Sequence, residues 1–247
     1  MRLIRLIYGL HAFVKKILFL ISAIFLPFLA LSQVERPHNY PYIDGKLLHF
    51  GFSVGLNSMD YSMKRTLKTH QMAMDTFILL PDVSKIMPPG FQVQIVSDLK
   101  LAENLDLRFL PGITFGQRDM TFYRPDGSKD ISMDINSAFL DFPLSLRYSS
   151  FRLNNYRPYI IGGFNFRYDM ASRNDDKVFI NIKPADVYFE TGVGVDWYLP
   201  YFKLGTEIKV GIGLRDLMIY DSTISPQYMN SLGGLKSYIV ALSFHFE

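Results

Sequence analysis

Cysteine is absent from the 247-residue chain, which excludes disulfides, thiolate nucleophiles and cysteine metal sites. Past the N-terminal region there is no long apolar run, so a bundle of membrane-spanning helices is excluded. A phosphate-binding glycine loop is also missing. The "TGVGV" of 191–195 lies inside an alternating segment and not at a strand-to-helix turn, so a dinucleotide reading fails. No metal motif is present. Asp119, Asp126, Asp130, Asp175 and Asp176 fit no calcium-loop spacing and read as solvated loop charges. An excess of one charge is lacking too. The formal +3 comes from 26 basic and 23 acidic residues, and residues 1–32 hold four of the basic ones and no acid, leaving 22 against 23. A nucleic-acid partner is therefore not expected.

What the chain has is aromatic residues, at 15%, with 21 Phe and 15 Tyr but a single Trp. It also has an export-like N-terminus. Arg2, Arg5, Lys15 and Lys16 precede an apolar stretch, "ILFLISAIFLPF" (17–28), then small residues at Ala30 and Ser32. This is the pattern of a signal peptide over 1–32, cut before Gln33. The other reading is a membrane anchor, but the run is short for a span and contains Pro27. The n-region is long, which leaves the start of translation open. Polar, proline-containing residues 33–46 read as a periplasmic lead-in, and 47–247 as one domain.

That domain alternates. In "VYFETGVGVDWY" (187–198), Val187, Phe189, Thr191, Val193, Val195 and Trp197 share one face of a strand. Tyr188, Glu190, Gly192, Gly194, Asp196 and Tyr198 share the other. The same period recurs near 49–56, 91–95, 105–115, 140–148, 157–168, 202–214 and 237–246. Ile135 and Phe139 are out of phase with the fourth of these, so a bulge is expected near 138–140. Long connectors (57–89, 118–131, 169–184, 215–235) alternate with shorter ones (98–104, 149–156, 199–201). An even strand number, sorted connectors and one apolar face predict a closed eight-stranded antiparallel up-and-down transmembrane β-barrel. Its long loops are extracellular and its short turns periplasmic. Phe202, Trp197, Tyr148, Tyr168 and Phe246 would form interfacial girdles, with outer-membrane lipid as the first partner. A solvated sheet face with surface salt bridges is the alternative reading of the same alternation.

Opposite the apolar set fall Asp106, Arg108, Asp141, Arg147, Arg167, Glu190, Asp196, Lys203, Glu207 and Lys209. An eight-stranded barrel is filled by side chains. Confined charges must pair, so these ten residues are expected to form an interior charge network. Catalysis is not expected. His49, Ser243 and His245 fall near the first and last strands, but those two strands supply no carboxylate for a triad. Glu190 and Glu207 have cations beside them and read as ion-pair partners. No cofactor and no small-molecule substrate is expected. The connector 57–89 is methionine-rich. Met59, Met63, Met72, Met74, Phe77, Leu79 and Leu80 are its candidates for binding a protein partner.

Several segments carry a resemblance. "FLDFPLSLRY" (139–148) followed by "RPYIIGG" (157–163) resembles the porin-family outer-membrane barrels of the Bacteroidetes lineage. "HFGFSVGLN" (49–57), the long first connector and "YFETGVGVDWYLPYFKLGTEIKVGIGL" (188–214) are similar to the PorT-like group. The similarity covers about residues 47–246. It implies an outer-membrane protein needed for type IX secretion, and for gliding motility where that occurs, acting with other secretion-system proteins. The group offers no catalytic motif to carry over. A structural or adhesive barrel that binds ligands through its loops is the alternative function.

Overall fold

The computed structural model describes residues 39, 43–65, 80–83, 88–123, 128–171, 182–219 and 232–247. The proposed signal peptide lies outside them, as do Met72, Met74, Phe77 and Leu79. The described chain is antiparallel β-structure with one 3₁₀ turn, Ile43–Gly45. The strands are β1 (Leu48–Arg65), β2 (Leu80–Val83), β3 (Pro89–Ala102), β4 (Leu105–Phe109), β5 (Gly112–Tyr123), β6 (Lys129–Ser149), β7 (Tyr156–Asp169), β8 (Ala185–Tyr198), β9 (Lys203–Gly213) and β10 (Leu232–Phe246). Their hydrogen bonding runs as a ring. β1 pairs with β10 on one side and with β3 on the other, and each remaining neighbour joins the next back to β1. β4 and β5 follow one another between β3 and β6. β2 is a short addition to the far end of β5.

Along most strands the apolar residues face outward. Phe50, Phe52, Leu56, Ile95, Leu144, Ile160, Val193, Ile208 and Ile212 are exposed, while Ser53, Arg108, Asp141, Glu190, Asp196, Glu207 and His245 are buried. This is the reverse of a water-soluble sheet. An apolar wall of this extent is stable only against hydrocarbon, and the ring leaves few backbone groups to be satisfied by solvent.

Toward the long-connector end the polarity inverts. On β6 the outward residues change from Phe142, Leu144 and Leu146 to Ser132, Asp134 and Asn136, all exposed. On β1 they change from Phe52, Val54 and Leu56 to Ser62 and Lys64. The inward residues become apolar instead. Tyr61, Met120, Phe122, Met133, Ile135, Leu217, Met218 and Leu235 form one buried cluster, and Met59, Phe139, Tyr188 and Ile239 a second. β6 has 21 residues, about twice the 9–11 that a tilted strand needs to span a bilayer. Its upper half therefore belongs to a crown with an ordinary apolar core and a wet surface.

This crown corrects several expectations. Met59 and Met63 do not lie in a loop, because β1 stays paired with β10 up to Arg65. Met59 is buried and Met63 packs against the larger cluster, so their side chains fill the interior. The expected connector 118–131 shrinks to 124–128, because β5 and β6 remain paired through Tyr123 and Lys129. The sorting of connectors by length thus fails at that hairpin. No bulge occurs at 138–140. The register of β6 with both neighbours is continuous there, and Ile135 and Phe139 point inward in phase with Asp141. They looked out of phase because the interior itself turns apolar at that height. The expected strand 105–115 is interrupted at Leu110–Pro111, although its facing is preserved.

The inversion sets up a paired test. Val193→Arg, in the middle of the apolar wall, is expected to lower the unfolding free energy in lipid vesicles by about 2–4 kcal/mol. Asn136→Arg, on the crown, should change it by less than about 0.5 kcal/mol. Denaturant titration of both variants checks this, and equal effects would remove the proposed boundary.

Candidate functional site: the interior charge network and the turn-end latch

The interior below the crown is built by strand alternation, which delivers one charged side chain from almost every strand to a shared space. Arg108 from β4 is its centre. Its guanidinium donates to both carboxylate oxygens of Asp98 (2.7 and 2.5 Å) and to Glu247 (2.9 Å), and it lies 3.6 Å from Glu207. Glu247 also meets Lys203 at 2.5 Å. Arg147 bridges Asp98 (3.2 Å) and Asp196. Lys209 sits between Glu190 (3.2 Å) and Glu207 (3.7 Å). Arg167 lies between Asp141 (3.0 Å) and Glu190 (3.3 Å). These pairs form one connected web, and its members are almost wholly buried.

Tyr159 gives the web its lining. Its hydroxyl donates to Glu207 (3.1 Å), and the guanidinium of Arg147 lies over its ring at 4.1 Å. Gly194 makes this possible, since a β-carbon there would come within 2.4 Å of the Tyr159 ring. Above the web, Arg118 lies over the rings of Tyr61 (4.3 Å) and Phe139 (5.2 Å) and donates to Ser137 and Ser237. It marks the step from polar to apolar filling.

Of the residues singled out in the sequence, Arg108, Asp141, Arg147, Arg167, Glu190, Asp196, Lys203, Glu207 and Lys209 all lie in this web. Asp106 does not. It is half-buried at the mouth of the turn end, among Asp44, His49, Lys100 and Arg157. Asp98, Glu247 and Arg118, with Asp169 3.5 Å from the Arg118 guanidinium, were missed. Asp98 lies just past the segment 91–95, where the inward Val96 interrupts the polar series. Glu247 lies just past the last alternating segment. The histidines and serine do not converge. His49 contacts the Ile43 carbonyl at 2.6 Å and sits opposite Asp98. His245 sits opposite Ser53 with Glu207 at 3.6 Å, and the Ser243 hydroxyl accepts from Gln92 at 2.9 Å. β1 does carry a carboxylate, Asp60, but it bonds Tyr238 at the crown; Glu207 is the acid near His245, and Ser243 is engaged elsewhere and fully buried. Among the described residues no group of acids and histidines has metal-site geometry.

The turn end is closed by a latch on Asp44. The Tyr198 hydroxyl donates to its carboxylate at 2.7 Å and Arg152 at 3.1 Å, while Lys100 donates to its backbone oxygen at 2.5 Å. Asn39 adds bonds to Asn155 (2.8 Å) and to the Tyr198 carbonyl (3.1 Å). Burial works against the Asp44 carboxylate. The Tyr198 hydroxyl and the Arg152 guanidinium outweigh it and hold its pKa below the usual value.

Arg108→Met is expected to lower the unfolding free energy in vesicles by about 3–5 kcal/mol, because it removes the buried cation that Asp98, Glu207 and Glu247 share and leaves three carboxylates to Arg147, Lys203 and Lys209. A loss under about 1 kcal/mol would mean that the web relaxes freely. At neutral pH, Asp44→Asn is expected to speed proteolysis of the segment around Ile43–Gly45. Because the Asp44 pKa is depressed, its stabilisation is complete above the ordinary carboxylate value and is lost as pH falls through the lowered one. Wild type and variant should therefore converge in acid. Equal cleavage at pH 7 would show that the latch bears no strain.

The arrangement is a filled interior inside a lipid-facing wall, closed at both ends by side chains. Among the described residues, the charged side chains of this interior are buried and engaged with one another. Residues 31–218 match a family model described as an outer membrane protein beta-barrel domain. No curated protein matches the chain. With that match spanning most of its length, the chain belongs to the outer-membrane β-barrel family, and its place is the outer membrane.

Proposed function

We propose that the ring closes as an eight-stranded transmembrane barrel, β4 and β5 counting as one stave, and that it serves type IX secretion as a non-enzymatic accessory or assembly component. Where gliding motility depends on that system, the same role extends to it. The observation that carries this reading is the filled interior. The Arg108 web and the Tyr61–Phe122–Leu235 layer leave no passage for a folded cargo. The protein then acts by contact with other secretion-system proteins through its crown, its turn end or its wall. The resemblance of residues 47–246 to PorT-like proteins supplies the identity of the system. Met72, Met74, Phe77, Leu79 and Leu80 stay candidates for partner contact, whereas Met59 and Met63 are interior.

The crown favours a second reading. Its paired strands and polar surface stand above the apolar wall as a platform for external ligands, which suits a structural or adhesive barrel. Deletion of the gene separates the two. The first reading expects proteins with C-terminal sorting domains to accumulate in the periplasm and to be lost from the culture fluid, as seen by proteomics. The second expects unchanged secretion with loss of surface binding.

A further inference from the structure

The outer wall carries a groove near the turn end, and its cause is visible in the strand register. Three outward rows cross β6 to β9. The upper row is tall: Tyr148, Ile160, Val193 and Ile208 are direct neighbours in register, and all are exposed. The lower row is also tall, with Tyr156 beside Trp197, ring centroids 6.2 Å apart, and then Leu204. Between them lies a row of small side chains, Pro158, Val195 and Thr206, only partly exposed. The result is a recess of about 720 Å³ with an almost wholly apolar lining. That size is typical of a small-ligand site.

We propose that this groove seats one acyl chain of a phospholipid from the periplasmic leaflet. The occupant follows from position. The groove opens on the wall that meets hydrocarbon, so water is not its filler, and it lies at the end with the short turns. Trp197, with Tyr156 beside it, bounds the groove toward the headgroups, where amphipathic rings are stable. A flat wall packs equally against any lipid. A walled trough between rows of aromatic and branched residues contacts one chain on three sides and so holds it longer than its neighbours, because dispersion contacts add. This inference rests on the outer-membrane location and not on the role in secretion.

Trp197 is the only tryptophan in the chain and lines the groove, which gives a direct readout. Brominated phosphatidylethanolamine is titrated into the mature, detergent-solubilised protein while Trp197 fluorescence is followed. Quenching is expected to saturate near one lipid per barrel. Val195→Phe fills the trough and should raise the half-saturating lipid concentration about tenfold or more. Val240→Phe, outward on β10 and away from the groove, should leave it unchanged, and unboiled gel mobility checks that each variant is folded. Quenching that rises in proportion to the lipid fraction, identically in wild type and Val195→Phe, would overturn the proposal. So would a photo-crosslinker at Thr206 that captures a second copy or another protein in place of lipid.

Discussion

Arg108 is buried against three carboxylates, and each arrives from a different part of the chain: Asp98 from β3, Glu207 from β9 and Glu247 from just past β10. A guanidinium in that position has no water to fall back on, because the far side of every strand is hydrocarbon. It must be neutralised by protein: Asp98 does so from the adjacent strand, whereas Glu207 and Glu247 reach it only when the ring is assembled. β4 lies nearly opposite β9 in the order of strands, so the pairing across the interior ties walls that no ladder connects. The same logic passes through Lys209 and Arg167 to Glu190 and Asp141. Buried ion pairs are weak evidence for net stability. Their force here is selective: a slip of one residue in any strand would send its charge into lipid and an apolar residue into the web.

Much of this was legible in the chain. Alternation located every stave of the wall, and the residue types on the two faces told which way each stave faced. Nine of the ten charges named from the sequence lie in the web because strand period alone fixes side. The rest was hidden for two physical reasons. Periodicity gives a side but no end, so the strands continue where the outward residues cease to be apolar. The extension of β1 past Ser58 has Met59 and Tyr61 inward and Ser62 and Lys64 outward. That is a strand pattern with its faces exchanged, and it resembles a loop to an eye looking for outward hydrophobics. The second reason is partnership. Glu247 matters because of what lies across the interior, and no spacing along the chain records a contact between β4 and the residue just past β10.

The two kinds of filling divide the labour along the axis. The charge web specifies register where the solvent is lipid. The apolar clusters of the crown provide ordinary core burial where the solvent is water. Arg118 sits at their boundary, its guanidinium over the rings of Tyr61 and Phe139 and donating to Ser137 and Ser237, with Asp169 at 3.5 Å. At the opposite end, Asp44 draws Tyr198 and Arg152 into a plug of local bonds. Transport through the centre would require both ends and the web to rearrange together.

The inversion of polarity on β1, β5, β6 and β10 also fixes a waterline. Sinking the barrel would bury Ser132, Asp134 and Asn136 in hydrocarbon, and raising it would wet Phe142, Leu144 and Val240, so vertical travel is opposed in both directions. β5 and β6 stay paired above this depth as far as Tyr123 and Lys129. A partner that grips the paired strands near Thr121 and Ser132 is thereby held at a set distance above the bilayer.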